Sequence, residues 1–367
     1  RGRLKCCGFL LSSMVLTASL LRDSGAYAAD VEQGTTRHFG QRGTWAMTRV
    51  ILAILLMQSC IAGLYVVNRV AVHGRTGIVP LDFTWFRYLI SVAALHVLLV
   101  IQTKRFPWSN LPEARHLPLF ALYGCTHVYF GQYCSMVAAQ YVPAVVNSLF
   151  LNMSPVCVCW FGVLAGVERL TAARYSAHLK IAGALVAIAG ACTYTLASTG
   201  GFSVADKSGY DYLTGVSWLT MSLLGGSVFH VSEKVCLNQG YPVLTVVTWG
   251  ATFGLALLTC LISPTVDRGT FDLYWDQWLL VVYAALVPST VSSLAGAWAK
   301  KQSSPLLVVT FFPFGTVVTA GIAWLALGEV PSEAVFVAAP VIVMGLYLLV
   351  LGQLREVAPE SCGKLLV

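Results

Sequence analysis

The sequence predicts an all-α polytopic membrane protein with ten transmembrane helices arranged as two inverted five-helix repeats. Of the 367 residues, 57% are hydrophobic and 11% are charged, whereas soluble domains carry about 25% charged residues. The hydrophobic residues come in runs of roughly twenty, the length that crosses a hydrocarbon core as a helix. A similar motif recurs in both halves of the chain, which is typical of duplicated membrane proteins.

The recurring motif is an apolar run that follows a short polar connection, contains a proline and ends in a glutamate. In the second half it covers residues 305–329 and contains Pro313. In the first half it covers residues 143–168 and contains Pro155. The repetition predicts two related halves around a shared centre, where a transport path is expected.

Residues 1–46 differ from the rest. A basic start, an apolar stretch that is short for a span and the sequence Ala26-Tyr27-Ala28 resemble a secretory-type signal or an organellar leader. The alternative is a leader-like accident upstream of a true start at Met47, or a weakly anchored tail. We leave both open and exclude this segment from the fold prediction.

The predicted spans follow one another from residue 47. They cover residues 50–67, 83–101, 117–139, 144–165, 181–197, 212–236, 243–263, 278–299, 306–327 and 335–351. The longest polar interruption covers residues 198–211, and residues 200–211 are interpreted as the linker between a first repeat (47–199) and a second repeat (212–353), which a tail (354–367) follows. Five spans per half would invert the second repeat relative to the first.

Charge predicts the orientation. Lys and Arg are concentrated on the side of the termini, and cytoplasmic loops carry such an excess. That side holds Lys104, Arg105, Arg115, Arg169, Arg174, Lys180, Lys234, Lys300, Lys301, Arg355 and Lys364, and the opposite side holds Arg69, Arg75, Lys207 and Arg268. The termini are therefore expected to be cytoplasmic. The pair Lys300-Lys301 is interpreted mainly as a topology anchor, with a gate or an anion contact as the alternative.

Several function classes are disfavoured. The net charge of +7 is explained by the excess of Lys and Arg that orients a membrane protein. The sequence has no basic patch interleaved with aromatic residues, so no nucleic-acid partner is predicted. No catalytic triad motif, phosphate loop or metal-ligand spacing occurs, so we predict neither an enzyme nor a cofactor or metal site. The remaining classes are a channel and a secondary carrier. Either would have a small-molecule substrate and the lipid bilayer as partners, and the chain could form a homodimer.

Uncharged polar residues within the spans are the substrate-binding candidates, because such groups face other helices or a wet cavity rather than lipid. The candidates are Gln132, Tyr133, Asn152, His230 and Trp298. Asn147 and Asn152 lie about 140° apart on a helix, so one is expected at the cavity and the other against a neighbouring helix. We favour Asn152 for the cavity because it is close to Pro155. Tyr133 and Trp298 also fit packing positions.

A second group is interpreted as gating or structural. Glu168 and Glu329 cap equivalent ends of the fourth and ninth spans, and Pro155 and Pro313 each remove a backbone hydrogen bond inside a span. Arg87, near the start of the second span, is expected to reach the headgroups or to pair with Asp82.

Motifs along residues 68–352 carry a family resemblance. In order they are Asn68-x-x-Ala71-x-x-Gly74, Phe86-Arg87-Tyr88, Gly131-Gln132, Asn152-x-x-Pro155, Trp298-x-Lys300-Lys301, Phe312-Pro313 and Leu327-Gly328-Glu329. Together they resemble the EamA-type branch of the drug/metabolite transporter superfamily, which includes plant drug/metabolite exporters. The eighth span departs from the family pattern, with Ser292-Ser-Leu-Ala-Gly-Ala where an aromatic-rich sequence is common.

The resemblance implies a secondary-active or facilitative carrier of small polar organic metabolites, with amino acids the leading expectation. Its central cavity would be lined by the first, third, fourth, sixth, eighth and ninth spans, with access alternating between the two sides. The membrane is expected to be the plasma membrane, an endomembrane or an organellar membrane. A sugar-phosphate or nucleotide-sugar exchanger of the same superfamily is the alternative, and it would need cationic groups in the cavity. A nontransporting receptor or scaffold is the alternative from another class.

Overall fold

A computed structural model describes residues 43–73, 77–104, 106, 111–167, 207–263 and 273–328, with scattered residues between 178 and 193 and between 340 and 351. Every regular element in this part of the chain is helical. The predicted all-α class is therefore confirmed. The fifth and tenth predicted spans lie largely outside the described residues.

The helical stretches correspond closely to the predicted spans. In chain order they are Gly43–His73, Pro80–Thr103, Ala114–His116, Leu117–Gly124, Cys125–Tyr133, Cys134–Ala138, Ala144–Phe150, Leu151–Met153, Ser154–Leu164, Lys207–Asn238, Val243–Ile262, Trp275–Ala284, Ala285–Val291, Ser292–Gln302, Pro305–Val309 and Phe312–Leu327. The helix of the sixth span thus begins at Lys207, inside the segment predicted as a linker, and continues past Glu233 to Asn238.

Six stretches of the described chain are long and apolar enough to cross a membrane. They are Thr48–Val72, Pro80–Thr103, Ala144–Leu164, Val243–Ile262, Trp275–Gln302 and Pro305–Leu327. These match the first, second, fourth, seventh, eighth and ninth predicted spans. The third and sixth spans are helical as well, but they carry more polar side chains. Apolar side chains such as Trp160, Ile101 and Leu325 are exposed on the outer surface, as expected where lipid replaces water.

Four spans are built from consecutive helical segments rather than from one regular α-helix. The third contains a π-helical stretch, Cys125–Tyr133, and the eighth contains another, Ala285–Val291, which includes Pro288. The fourth is tightened by a 3₁₀ turn at Leu151–Met153, and the ninth restarts at Phe312 after a short break. Local π segments of this kind occur frequently at functional sites.

Pro155 and Pro313 were expected to interrupt a continuous helix, and the structure does not place them in that way. Each lies in the first turn of a new helical segment. In the first turn a backbone N–H has no acceptor within its own helix, so the absence of this donor in proline costs little free energy. The breaks of the fourth and ninth spans therefore sit at similar places, and both prolines adjoin residues that line the central cavity, Ser154 and Phe312.

The spans pack in a consistent pattern. The second contacts the seventh, the first contacts the eighth and ninth, and the sixth contacts the third and fourth. The ninth also contacts the fourth, the second contacts the π segment of the eighth, and the third contacts the seventh. The interior is thus surrounded by six spans that contact one another: the first, third, fourth, sixth, eighth and ninth.

The third and seventh spans approach at backbone distance. A Cβ atom on Gly124 would collide with the backbone nitrogen of Gly254 and would lie 2.6 Å from the carbonyl oxygen of Gly250. Small residues permit such close crossing of membrane helices, where dispersion contacts replace the hydrophobic effect as the source of association energy. This contact fixes the third span, which carries Gln132, against the second half of the chain.

Candidate functional site: a central cavity beside a buried ion pair

A cavity of about 90 Å³ lies between the described spans. The first, third, fourth, sixth, eighth and ninth spans line it, as the family resemblance implied, and Tyr88 of the second span adds to its wall. One buried water needs about 10–15 Å³, so this space accepts several waters or a small organic molecule. Its wall is rich in small polar residues and glycines, among them Gly131, Ser135, Ser148, Ser154, Ser222, Gly226, Ser289, Ser292, Ser293, Gly296, Gly315 and Thr316.

Lys300 and Glu233 form a buried ion pair at this cavity. Their side chains are 2% and 1% exposed, and Lys300 lines the cavity. The hydroxyl of Tyr123 donates to Glu233 at 3.4 Å, and the Lys300 Nζ lies 4.6 Å from the centroid of the Phe229 ring. Removing one partner of a buried pair leaves an uncompensated charge in a region of low dielectric. Each of these two side chains therefore offsets the cost of burying the charge of the other.

The interpretation of Lys300 as a cytoplasmic anchor is wrong. The helix of the eighth span continues through Gln302, and successive residues on a helix point about 100° apart. Lys301 is consequently exposed, with its Nζ donating to the Tyr241 carbonyl at 3.3 Å, while Lys300 points inward. The ammonium of Lys234 donates to the carbonyls of Lys300 and Ser303 at 2.7 and 2.8 Å, which satisfies acceptors at this helix end.

His230 contacts the same ammonium. The Lys300 Nζ lies 3.0 Å from His230 Nδ1, and because an ammonium can only donate, Nδ1 must accept. A neutral His230 then carries its proton on Nε2. The ring is buried against Phe312 and Phe229 and belongs to the cavity wall. His230, a predicted substrate contact, therefore lies at the cavity with its tautomer set by Lys300.

Gln132 lines the cavity and accepts a hydrogen bond from Arg87, which lies outside the cavity wall. The Arg87 Nη2 donates to Gln132 Oε1 at 3.2 Å. Arg87 is 0% exposed, so the expectation that it reaches the headgroups is wrong, and its hydrogen bond goes to Gln132 rather than to Asp82. The guanidinium lies 5.0 Å from the centroid of the Tyr88 ring. The second span packs against the third, seventh and eighth, which turns this side chain inward.

The two asparagines of the fourth span link helices. Asn147 accepts from the Ser135 hydroxyl and donates to the Ser135 carbonyl, both at 3.1 Å, so it ties the fourth span to the third. The Asn152 amide donates to the Thr316 hydroxyl at 3.3 Å. Thr316 lines the cavity, whereas Asn152, which is 1% exposed, lies behind Thr316 and outside the cavity wall, contrary to the expectation from sequence.

The remaining candidates lie outside the cavity wall. Tyr133 stacks on Tyr129, with ring centroids 5.4 Å apart, and meets the edge of Trp218. Trp298 packs against an apolar cluster that includes residues of the first, fourth and ninth spans. Both thus occupy packing positions, the second of the two roles that the sequence suggested. Glu168 and Glu329 lie outside the described residues.

Sequence reasoning missed the polar side chains that join these groups. His127 packs its ring on Phe229, with centroids 4.1 Å apart, and its Nε2 lies 3.2 Å from the Tyr88 hydroxyl. Glu233 lies inside the predicted sixth span, and no role was predicted for it. The usable signal was that the three residues before each of the pairs Glu233-Lys234 and Lys300-Lys301 contain no glycine or proline, so each helix could continue and bury one member of its pair.

A multi-pass helical bundle that encloses a small polar cavity has the architecture of a membrane transporter. Residues 48–196 match the sequence profile of the EamA-like transporter family. The chain is 24% identical over 324 residues to a WAT1-related protein of Arabidopsis thaliana, covering 84% of this chain and 83% of that one. It is 23% identical over 353 residues to Protein WALLS ARE THIN 1 of the same plant, covering 86% and 87%.

A bacterial relative and a solved structure extend the comparison. The probable terminal-alkyne amino-acid exporter of Streptantibioticus cattleyicolor is 27% identical over 252 residues, covering 67% of this chain and 78% of that one. A crystal structure superposes with a TM-score of 0.60 at 18% identity, covering 83% of this chain and 97% of the other, and shows a shared fold. Residues 48–196 thus match the EamA-like transporter family, and the chain is a multi-pass membrane protein. It is accordingly a transporter and not an enzyme.

Proposed function

We propose that this protein is a secondary-active or facilitative carrier of small polar organic metabolites, with amino acids as the leading substrates. The observation that carries the proposal is the polar cavity between six spans, with the Lys300–Glu233 pair at its wall. Hydroxyl, amide and imidazole groups converge there, as expected at a site for a small polar molecule. The amino-acid exporter among the relatives supports the substrate class.

Transport by alternating access of two inverted repeats, residues 47–199 and 212–353, is part of the proposal. The packing pattern supports it, because most contacts have a counterpart when each span is exchanged for the one five places away. The first span meets the ninth as the sixth meets the fourth, and the second meets the eighth as the seventh meets the third. The π segments of the third and eighth spans, and the proline-led restarts of the fourth and ninth, are paired in the same way.

The breaks in these four spans supply the places where one half could move against the other. Segmented helices beside a substrate site are a recurrent feature of duplicated carriers. Rocking of the repeats would expose the cavity first to one side and then to the other. The excess of Lys and Arg on the side of the termini, which remains when the buried Lys300 is left out, supports cytoplasmic termini, in a plasma, internal or organellar membrane.

The proposal is tested with purified full chain in proteoliposomes. Uptake and efflux of a radiolabelled amino-acid mixture would be measured with and without a pH gradient, beside empty liposomes. Saturable flux above that of empty liposomes is expected. Acceleration by the pH gradient would identify proton coupling, and its absence would identify a facilitative carrier or another coupling ion. Absence of flux for every amino acid and for a pool of polar metabolites would refute the proposal.

A sugar-phosphate or nucleotide-sugar exchanger is the second candidate, and the position of Lys300 favours it. The sequence placed this lysine away from the cavity, but the ammonium lines it. Its charge is compensated by Glu233, however, whereas a phosphate monoester carries about −1.5 to −2 at pH 7. Obligate counter-exchange of a phosphorylated substrate would rank this candidate first.

A nontransporting receptor or scaffold is the alternative from another class. It predicts that variants of the cavity wall leave any measured flux unchanged, because the cavity would not be a path. The carrier predicts that changes at Gln132 or His230 alter flux.

A further inference from the structure

The charges around the cavity do not balance in the described part of the chain. The side chains that line it, and those bonded to them, include two cations, Arg87 and Lys300, and one carboxylate, Glu233. Glu233 compensates Lys300. Arg87 is 0% exposed, and within the part of the chain that the structure describes its Nε and Nη1 atoms have no hydrogen-bond partner. A buried cation without a counter-ion is costly, so the wall holds one uncompensated positive charge behind Gln132 and Tyr88.

Two polar side chains at the cavity wall beside these cations, Gln132 and His230, are held as hydrogen-bond donors. The Arg87 guanidinium can only donate, so it fixes the oxygen of the Gln132 amide toward itself and turns the amide nitrogen away. The Lys300 ammonium fixes His230 Nδ1 as an acceptor in the same way, which leaves the proton on Nε2. Arg87 thus orients Gln132, and Lys300 orients His230, so that each side chain keeps an N–H group without an acceptor among the described residues.

We infer that the cavity recognises its substrate by a carboxylate group, with Gln132 and His230 as direct hydrogen-bond donors. Arg87 acts as a positioning residue that orients Gln132 and supplies the compensating charge. The carboxylate of a monoanionic organic acid would bring the sum of the charges of Arg87, Lys300, Glu233 and ligand to zero. A zwitterionic amino acid would present its carboxylate to the same donors without changing the net charge, and charge-assisted hydrogen bonds are stronger than neutral ones. This inference rests on the proposed carrier function and narrows its substrates to organic acids and amino acids bound through their acid group.

The test compares acids with their own amides, which keep the carbon skeleton and size. The probes are benzoate and benzamide, butyrate and butyramide, and L-leucine and L-leucinamide. Each would be titrated against the purified full chain, with the ligand-induced rise in melting temperature as the readout. We expect the acid of at least one pair to bind at least about tenfold more tightly than its amide. Equal affinity for acid and amide, or no preference for the acid in any pair, would overturn the inference.

Two variants separate recognition from folding. Gln132→Glu places a carboxylate of the protein beside Arg87, compensates its charge internally and repels a second carboxylate, so the preference for acids should disappear. Gln140→Glu is the matched control, because this glutamine lies at the exposed turn that follows the third span, and its preference should equal that of the wild type. An acid preference that survives Gln132→Glu, in protein that elutes as one folded species, would contradict the inference.

A third variant tests the role of Arg87. Arg87→Lys keeps the charge but loses the rigid guanidinium, and it should retain more of the acid preference than Arg87→Gln. Equal loss in both variants would contradict a charge-based role. The failure of the proposed function gives a different result: acids would bind and be discriminated from amides, yet no flux would appear in proteoliposomes. Flux of amides and acids at equal rates would refute the inference alone.

Discussion

Lys300 of the eighth span and Glu233 of the sixth form an ion pair inside the protein, each almost without solvent exposure. The pair closes one side of the cavity, and Tyr123 and His230 complete its hydrogen bonds. Because the partners come from different spans, the pair also holds these two helices together. It is therefore placed to stabilise the present arrangement of the spans.

The first prediction concerns this pair. Lys300→Met leaves the Glu233 carboxylate buried and unpaired, and loss of one partner of a buried pair costs about 3–5 kcal/mol. The double variant Lys300→Met/Glu233→Gln removes both charges and should cost less than the sum of the single variants. Thermal melting of purified protein in detergent measures the effect.

Lys301→Met serves as the control for that experiment. Lys301 adjoins Lys300 in sequence but is exposed, so its replacement should change stability by no more than about 0.5 kcal/mol. Strictly additive losses in the double variant would contradict direct pairing of Lys300 and Glu233.

The second prediction separates the two asparagines of the fourth span. Asn147 makes two hydrogen bonds to Ser135, and interhelical hydrogen bonds in membranes contribute about 0.6 kcal/mol each on average. Asn147→Ala should therefore lower stability by about 1–2 kcal/mol and leave the ranking of transported substrates unchanged. Melting curves and competition assays in proteoliposomes measure the two effects; a changed ranking would place Asn147 at the substrate.

The third prediction tests the backbone contact between the third and seventh spans. Gly124→Val adds atoms where the backbone of Gly254 already stands, and overpacking of this kind costs about 1–3 kcal/mol. We expect a lower melting temperature and weakened flux, because Gln132 lies on the same span. Gly240→Ala makes a useful comparison: its Cβ would meet nothing within 4 Å, and its cost would come from the positive φ of 87°. A stable Gly124→Val protein would refute the close approach.

The sequence predicted much of the fold because membrane spans are encoded by composition and length, which need no knowledge of neighbouring helices. The helix from Val243 to Ile262 is an example, since its ends fall at Pro242 and Ser263 within a residue of the prediction. The π segments were not predictable, because they replace one regular hydrogen-bond pattern with another and leave the apolar run unchanged. Pro288 was the one visible sign of the second segment.

The site was harder to predict than the spans. The position of Gln132 and His230 at the cavity wall was predictable, because a polar side chain inside an apolar run has few alternatives to a helix contact or a wet cavity. The predicted position of Lys300 was wrong because a charged residue next to a span usually marks a membrane boundary. Its partner Glu233 lies on the sixth span, and only the packing of that span against the eighth brings the two side chains together. Arg87 was misjudged for the same reason, since its partner Gln132 is 45 residues away.

The most direct test of the central claim, that the cavity is the transport path, fills the cavity without disturbing the helices. Gly226 lines it, and a Cβ there would meet no described residue within 4 Å. A Cβ on Gly321 would likewise meet none of the described residues within 4 Å, but Gly321 is exposed and does not belong to the cavity wall. Amino-acid flux in proteoliposomes would be compared for the wild type, Gly226→Leu and Gly321→Leu. The account predicts that Gly226→Leu folds with a wild-type melting temperature and loses flux, while Gly321→Leu keeps it; undiminished flux through Gly226→Leu would contradict the claim.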